Sequence, residues 1–142
     1  SMCEAGPLGR VAVRGSGEGS GATGEAVQAA GARQHEKENL SLNFWTTSSM
    51  MAPFYEILQT LSLWLVKRGV KRDNAQKYIT SLFVALSEDA FKKSKDLKRL
   101  VKESQTPKGL NEQSVNELRK LGFYKSLNQT AEKVLKRLKK TK

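Results

Sequence analysis

Along the middle of the chain apolar residues recur at intervals of three and four: Phe54, Ile57, Leu58, Leu61 and Leu65. At 3.6 residues per turn these positions share one face, so the spacing predicts a helix. Pro53 suits its first turn, where the missing N–H costs little. Tyr55, Leu63, Trp64 and Val66 make the other sides apolar as well. A helix apolar on most sides is either central to a larger core or shared between subunits, and a chain of 142 residues offers few surrounding layers. The pattern therefore points to a subunit interface. Gly69 marks the stop, with Lys67 and Arg68 at the negative end of the helix dipole.

A second long helix is predicted to open at an Asp73–Gln76 capping box and to carry Tyr78, Ile79, Leu82, Phe83, Leu86 and Ala90 at helical spacing. Joined by a short turn, the two helices should pack antiparallel. A shorter helix is predicted from Asp96, turning Leu97, Leu100 and Val101 inward. Thr106-Pro107-Lys108-Gly109 breaks the pattern, and helix resumes with Asn111 as N-cap, through Val115, Leu118 and Leu121 to Gly122. The last helix sets Leu127, Ala131, Val134, Leu135 and Leu138 against Lys133, Lys136, Arg137, Lys139 and Lys140. Before Pro53 the signals are weaker. They comprise a short strand at Val11–Val13, a short helix from Gly24 stopped by Gly31, and another through Leu40, Leu42, Phe44 and Trp45. The body reads as all-α.

Composition divides the chain. Eight of the eleven glycines precede Ala32, while every lysine falls at Lys37 or later. A Gly/Ser/Ala-rich leading segment buries little and favours flexibility. Cys3 is the single cysteine and His35 the single histidine, which argues against a disulfide framework, a zinc site or a histidine general base. No secretory signal pattern is visible, and the most apolar stretch, residues 50–66, is too short to span a bilayer and broken by Glu56 and Gln59. A cytoplasmic protein without a membrane partner is the expectation. The net charge of +11 invites a nucleic-acid reading. Against it, no aromatic residue alternates with the lysines of residues 133–142, so specific nucleic-acid binding is not expected.

Two motifs carry candidate chemistry. Gly19-x-Gly21-x-x-Gly24 has the letters of a dinucleotide fingerprint, but Val11–Val13 lies too far upstream and no second strand precedes Glu36 or Glu38. A linker is the better reading. At Thr106-Pro-Lys-Gly-Leu-Asn-Glu-Gln113 a hydroxyl, a glycine turn and a helix N-terminus converge, a setting for a carboxylate or phosphate, although on the residues alone a plain connection between helices capped by Asn111 is favoured.

The order of these elements resembles the C-terminal half of pyrroline-5-carboxylate reductases. Gly24-Glu-Ala-Val-Gln-Ala-Ala-Gly31 resembles the last helix of that family's cofactor domain, and Glu36-Lys-Glu38 its closing acidic segment. Thr46-Thr-Ser-Ser-Met-Met-Ala-Pro-Phe-Tyr55 stands where the family has a Ser-Gly-Ser-Gly-Pro-Ala-Tyr lead-in to the dimer helix. Gly69-Val-Lys-Arg-Asp-Asn-Ala75 resembles the break before the second long helix, and Thr106-Pro-Lys-Gly-Leu-Asn111 the family's Ser-Pro-Gly-Gly-Thr-Thr.

The resemblance implies an all-α helical dimerisation bundle, like the C-terminal domain of 6-phosphogluconate dehydrogenase. Residues 1–35 would be the remnant of a nucleotide-binding domain and residues 36–142 the dimerisation and substrate domain. It implies an NAD(P)H-dependent oxidoreductase of proline biosynthesis that reduces the C=N bond of a cyclic imine. Two subunits would form a homodimer through Tyr55, Leu58, Leu61, Trp64, Leu65, Tyr78, Leu82, Phe83 and Leu86. Thr106, Gly109 and Asn111 would hold a cyclic imine or proline-like ligand. It carries over no catalytic residue, no metal and no cofactor-binding motif, so NAD(P)H would belong to the intact enzyme and the chain alone would not be catalytically competent. Met50, Met51 and Ala52 at one site, with Lys108 and Asn111 at the other, depart from the family pattern and imply an altered substrate or lost catalysis. The alternative reading is a non-enzymatic basic helical module that binds nucleic acid or an acidic protein.

Overall fold

The computed structural model describes residues 24–141, all of them in helices and short connections. The chain divides into two compact units, Ser1–Lys37 and Glu38–Lys142. In the first, the described residues are helical; Val11–Val13 and the glycines at 19 and 21 lie outside the described residues.

Among the described residues six helices follow one another: α1 (Gly24–Ser48), α2 (Met51–Val66), α3 (Arg72–Lys92), α4 (Leu97–Glu103), α5 (Leu110–Lys120) and α6 (Phe123–Lys140). The class is all-α. Helix α1 is one 25-residue element rather than two short ones, because it runs through Gly31 without a break. A glycine inside a helix costs only about 1 kcal/mol relative to alanine, and nothing after Gly31 turns the chain away, so the helix continues. Within α1, Leu42 and Thr46 are buried one turn apart, and the Thr46 hydroxyl donates to the Leu42 carbonyl at 2.8 Å.

Helix α2 starts at Met51, which puts Pro53 in the first turn, where its missing N–H is harmless; the first intrahelical bond is Phe54 N–H to Met50 O at 2.9 Å. The helix ends in a Schellman turn: Gly69 has φ +95°, its N–H donates to Val66 O at 3.0 Å, and Val70 N–H donates to Leu65 O at 3.2 Å. Arg68 reinforces that end. Its guanidinium donates to Trp64 O at 3.3 Å and lies 3.6 Å from the centre of the Trp64 ring.

The turn delivers the chain to Lys71, which is the N-cap of α3 without a side-chain hydrogen bond. The predicted Asp73–Gln76 capping box therefore does not form. The helix has already begun when Asp73 is reached, and that carboxylate lies in the first turn, where it faces the positive end of the dipole.

Helices α2 and α3 pack on one another as an antiparallel hairpin, with Phe54 and Leu58 beside Thr80, Phe83 and Val84 at one end and Val66 beside Arg72 at the other. Buried along it are Ser62, Ala75 and Ile79; Ala75, at 0 % exposure, is small enough for the helix axes to come close. Ser62 satisfies its hydroxyl by donating to Leu58 O at 2.8 Å. Phe54 and Phe83 meet edge to face with ring centroids 6.0 Å apart, an arrangement worth about 0.5–1.5 kcal/mol beyond the area it buries.

Asp96 caps α4 by accepting from Arg99 N–H at 3.0 Å. Only part of the predicted inward face of α4 is covered: Leu100 is half-buried, whereas Leu97 and Val101 are exposed. Seven residues make two turns, too short for three apolar positions to face one neighbour. Helices α5 and α6 form the second packed pair, turned at Gly122 with φ +79°. Ala131, Val134, Leu135 and Leu138 are half-buried on α6, with the lysines on the exposed side.

Candidate functional site

The hairpin of α2 and α3 leaves much of its apolar surface uncovered within one chain. Leu58, Leu65 and Phe83 are half-buried, but Tyr55, Leu61, Trp64, Tyr78, Leu82 and Leu86 are exposed, Trp64 by 52 % and Tyr78 by 63 %. These nine residues therefore line one helical hairpin, although they do not share a single face of it. An apolar groove of ≈ 290 Å³ runs between the helices, lined by Phe54, Leu58, Thr80, Phe83, Val84, Ser87 and Glu88. Among the described residues the buried hydrophobic side chains are Leu42, Ala75 and Ile79. So sparse a core, beside so many exposed large side chains, has the character of an association surface rather than of an ordinary solvated one.

The second candidate is the turn before α5. Gly109 N–H donates to Thr106 O at 2.8 Å, closing a β-turn with Pro107 and Lys108 at its centre. Lys108 has φ +63°, the left-handed geometry that the third position of a type II turn demands and that glycine fills without strain. At Gly109 the requirement is space rather than φ: a Cβ would overlap Thr106 Oγ1 and come within 2.9 Å of Thr106 O. Thr106, Gly109 and Asn111 thus lie on one tight turn and the first turn of α5.

Gly109, not Asn111, is the N-cap of α5. Its extended backbone, ψ 170°, lets the helix begin at Leu110, which leaves Asn111 inside the first turn and unable to cap it. The residue that reaches back is Glu112, whose Oε1 accepts from Lys108 N–H at 3.3 Å. This contact was not anticipated, although an acidic residue three positions after an N-cap is the capping-box position and would have signalled it once the cap was placed at Gly109. An internal carboxylate therefore shares the end of α5 that a ligand carboxylate would approach. The ≈ 480 Å³ hollow along α6, lined by Glu132, Lys133, Leu135, Lys136, Lys139 and Lys140, lies on the basic helix and not at this turn.

The strain at Lys108 predicts a measurable gain. Replacing Lys108 by Gly removes a left-handed L-residue and returns part of the benefit as chain entropy, so stability should rise by about 0.5–1 kcal/mol. Urea denaturation at fixed protein concentration checks this, and a lowered midpoint would contradict the turn geometry.

Among the described residues no group of His, Cys, Asp and Glu could hold a metal ion, and no helix is long and apolar enough to cross a membrane. Arg99 is pushed above its ordinary pKa by the hydrogen bond from its Nε to Glu103 at 2.6 Å and by that carboxylate's charge; it is cationic at any working pH and supplies no switch.

Comparison with known proteins adds one match. The family model for pyrroline-5-carboxylate reductase dimerisation matches residues 38–141, from the last turns of α1 to the end of α6. No curated protein and no solved structure matches the chain. The matched span contains both packed helix pairs, the exposed α2–α3 surface and the Thr106 turn, and on that match the chain belongs to the pyrroline-5-carboxylate reductase dimerisation family.

Proposed function

We propose that this chain is the homodimerising and substrate-contacting part of a pyrroline-5-carboxylate-reductase-like, NAD(P)H-dependent imine reductase, and that it is not catalytically competent by itself. The observation that carries the proposal is the uncovered apolar surface of α2 and α3 in a member of a dimerisation family. In an isologous dimer the same surface serves both subunits, so Tyr55, Trp64, Tyr78, Leu82 and Leu86 would bury themselves against their symmetry-related counterparts. Residues 1–35 would close the cofactor domain and residues 36–142 would form the dimer body.

For the substrate, Thr106, Gly109 and Asn111 form the contact set. Thr106 brings a hydroxyl beside Gly109, and the first turn of α5 offers N–H groups that have no intrahelical acceptor. A cyclic imine or proline-like carboxylate fits that chemistry, in competition with Glu112 for the Lys108 N–H. The described residues contain no strand leading into a glycine turn and helix, the unit that cradles a pyrophosphate, and in this reading NAD(P)H is held by the cofactor domain of the intact enzyme.

Two measurements test the proposal. Sedimentation equilibrium should show a dimer, and a folded monomer would defeat the assembly. Titration with L-proline, followed by amide NMR, should move the Leu110, Asn111 and Lys108 signals; unmoved signals would remove the turn from the substrate site while leaving the dimer intact.

A further inference from the structure

We infer that the assembly of this chain is held back by its own charge, so that the dimer tightens as ionic strength rises. The inference rests on the homodimer reading above and adds a control to it. The surface that would join two copies is apolar, and burial of apolar area is insensitive to moderate sodium chloride. The chain as a whole is strongly cationic, while the α2–α3 hairpin also carries Glu56, Asp73, Glu88 and Asp89. The net charge is +11, and each subunit of a homodimer brings the same charge to the other.

Part of this charge sits at one end of the α2–α3 hairpin, and the rest acts through the net charge of the subunit. Lys67, Arg68, Lys71 and Arg72 crowd the turn that joins the two helices, and all four are exposed. Asp73 is the acidic residue nearest to them in sequence. Lys133, Lys136, Arg137, Lys139 and Lys140 add a second basic run on α6, and Lys92, Lys93, Lys95 and Arg99 a third around the α3–α4 connection. The i,i+4 pairs Lys93–Asp89, at 3.1 Å, and Arg99–Glu103 neutralise two of these cations. Such charges act over the Debye length, about 30 Å at 0.01 M salt and about 8 Å at 0.15 M. At low salt the whole charge of one subunit is felt by the other; near physiological salt mainly the charges close to the interface are.

An interface held by complementary charges would weaken with added salt, so the sign of the dependence separates the two cases. The dimer Kd of the full chain should be measured by sedimentation equilibrium between about 10 mM and 150 mM sodium chloride, with chloride chosen because sulfate would strengthen apolar burial directly. We expect Kd to fall by about tenfold or more over that range. The double charge reversal Lys139→Glu, Lys140→Glu, on the exposed end of α6, should dimerise more tightly than the parent at low salt and converge with it at high salt. A Kd that stays constant or rises with salt overturns the inference, as does a reversal variant with parental affinity at low salt. A monomer under every condition overturns the homodimer reading and the inference together.

Discussion

Leu82→Asp is expected to convert the dimer to monomers while leaving the helices formed. Leu82 is 39 % exposed within one chain, so a carboxylate there stays hydrated in the monomer. In an isologous dimer the same substitution is present on both subunits, and two unpaired carboxylates would be buried in one apolar interface. Several kcal/mol are lost in that way, enough to weaken association by about a thousandfold or more, which is about 4 kcal/mol. Sedimentation equilibrium with circular dichroism on the same samples reads both halves of the expectation. Association at parental strength would move the interface away from this part of α3.

Ile79→Ala should destabilise by a different route. Ile79 is 6 % exposed in a single chain and is one of three buried hydrophobic side chains among the described residues, so it belongs to the seam of the hairpin rather than to its outer surface. Truncation leaves a cavity between two helices that Ala75 already brings close, and the cost is about 2–4 kcal/mol. For a unit with so few buried side chains that is a large share of its stability. Urea denaturation at several protein concentrations distinguishes the seam from the interface. The Ile79→Ala loss should be the same at every concentration once dimerisation is accounted for. A loss from Leu86→Ala, which is 53 % exposed in the chain, should act through the monomer–dimer equilibrium. If Ile79→Ala left stability unchanged, the α2–α3 packing would be wrong.

Several elements are legible in the residues because their causes are local. Gly69 ends α2 since a left-handed residue lets the Schellman bonds form, and glycine adopts that geometry without strain. Asp96 caps α4 with its own side chain, and Gly122 turns α5 into α6, again within a few residues. The three- and four-residue spacing along α2 and α3 prescribes helix whatever covers it. Even the apolar excess on α2 is legible, because Tyr55, Leu63, Trp64 and Val66 lie outside the face set by the three- and four-residue spacing.

The corrections share one physical character. Gly31, Asp73 and Asn111 are residue types that commonly begin or end helices, yet α1 continues through Gly31, and at Asp73 and Asn111 the preceding backbone had already set the helix start. The Schellman turn carried the chain into α3 before Asp73, and the β-turn at Thr106 placed the cap on Gly109 before Asn111. Glu112 gains its role from that two-residue shift, since a helix starting at Leu110 lets its carboxylate meet the Lys108 N–H.

Propensity and periodicity, acting over one or two turns, account for the all-α class, the order of the helices and the apolar stripes. Which residues those stripes bury is decided at longer range. Ala75 and Ile79 are covered because α2 folds back on α3, whereas Leu97 and Val101, equally apolar, remain exposed. Helical spacing specifies which side chains share a face, but burial requires a second surface to meet that face, and that surface comes from residues far away along the chain or from another subunit.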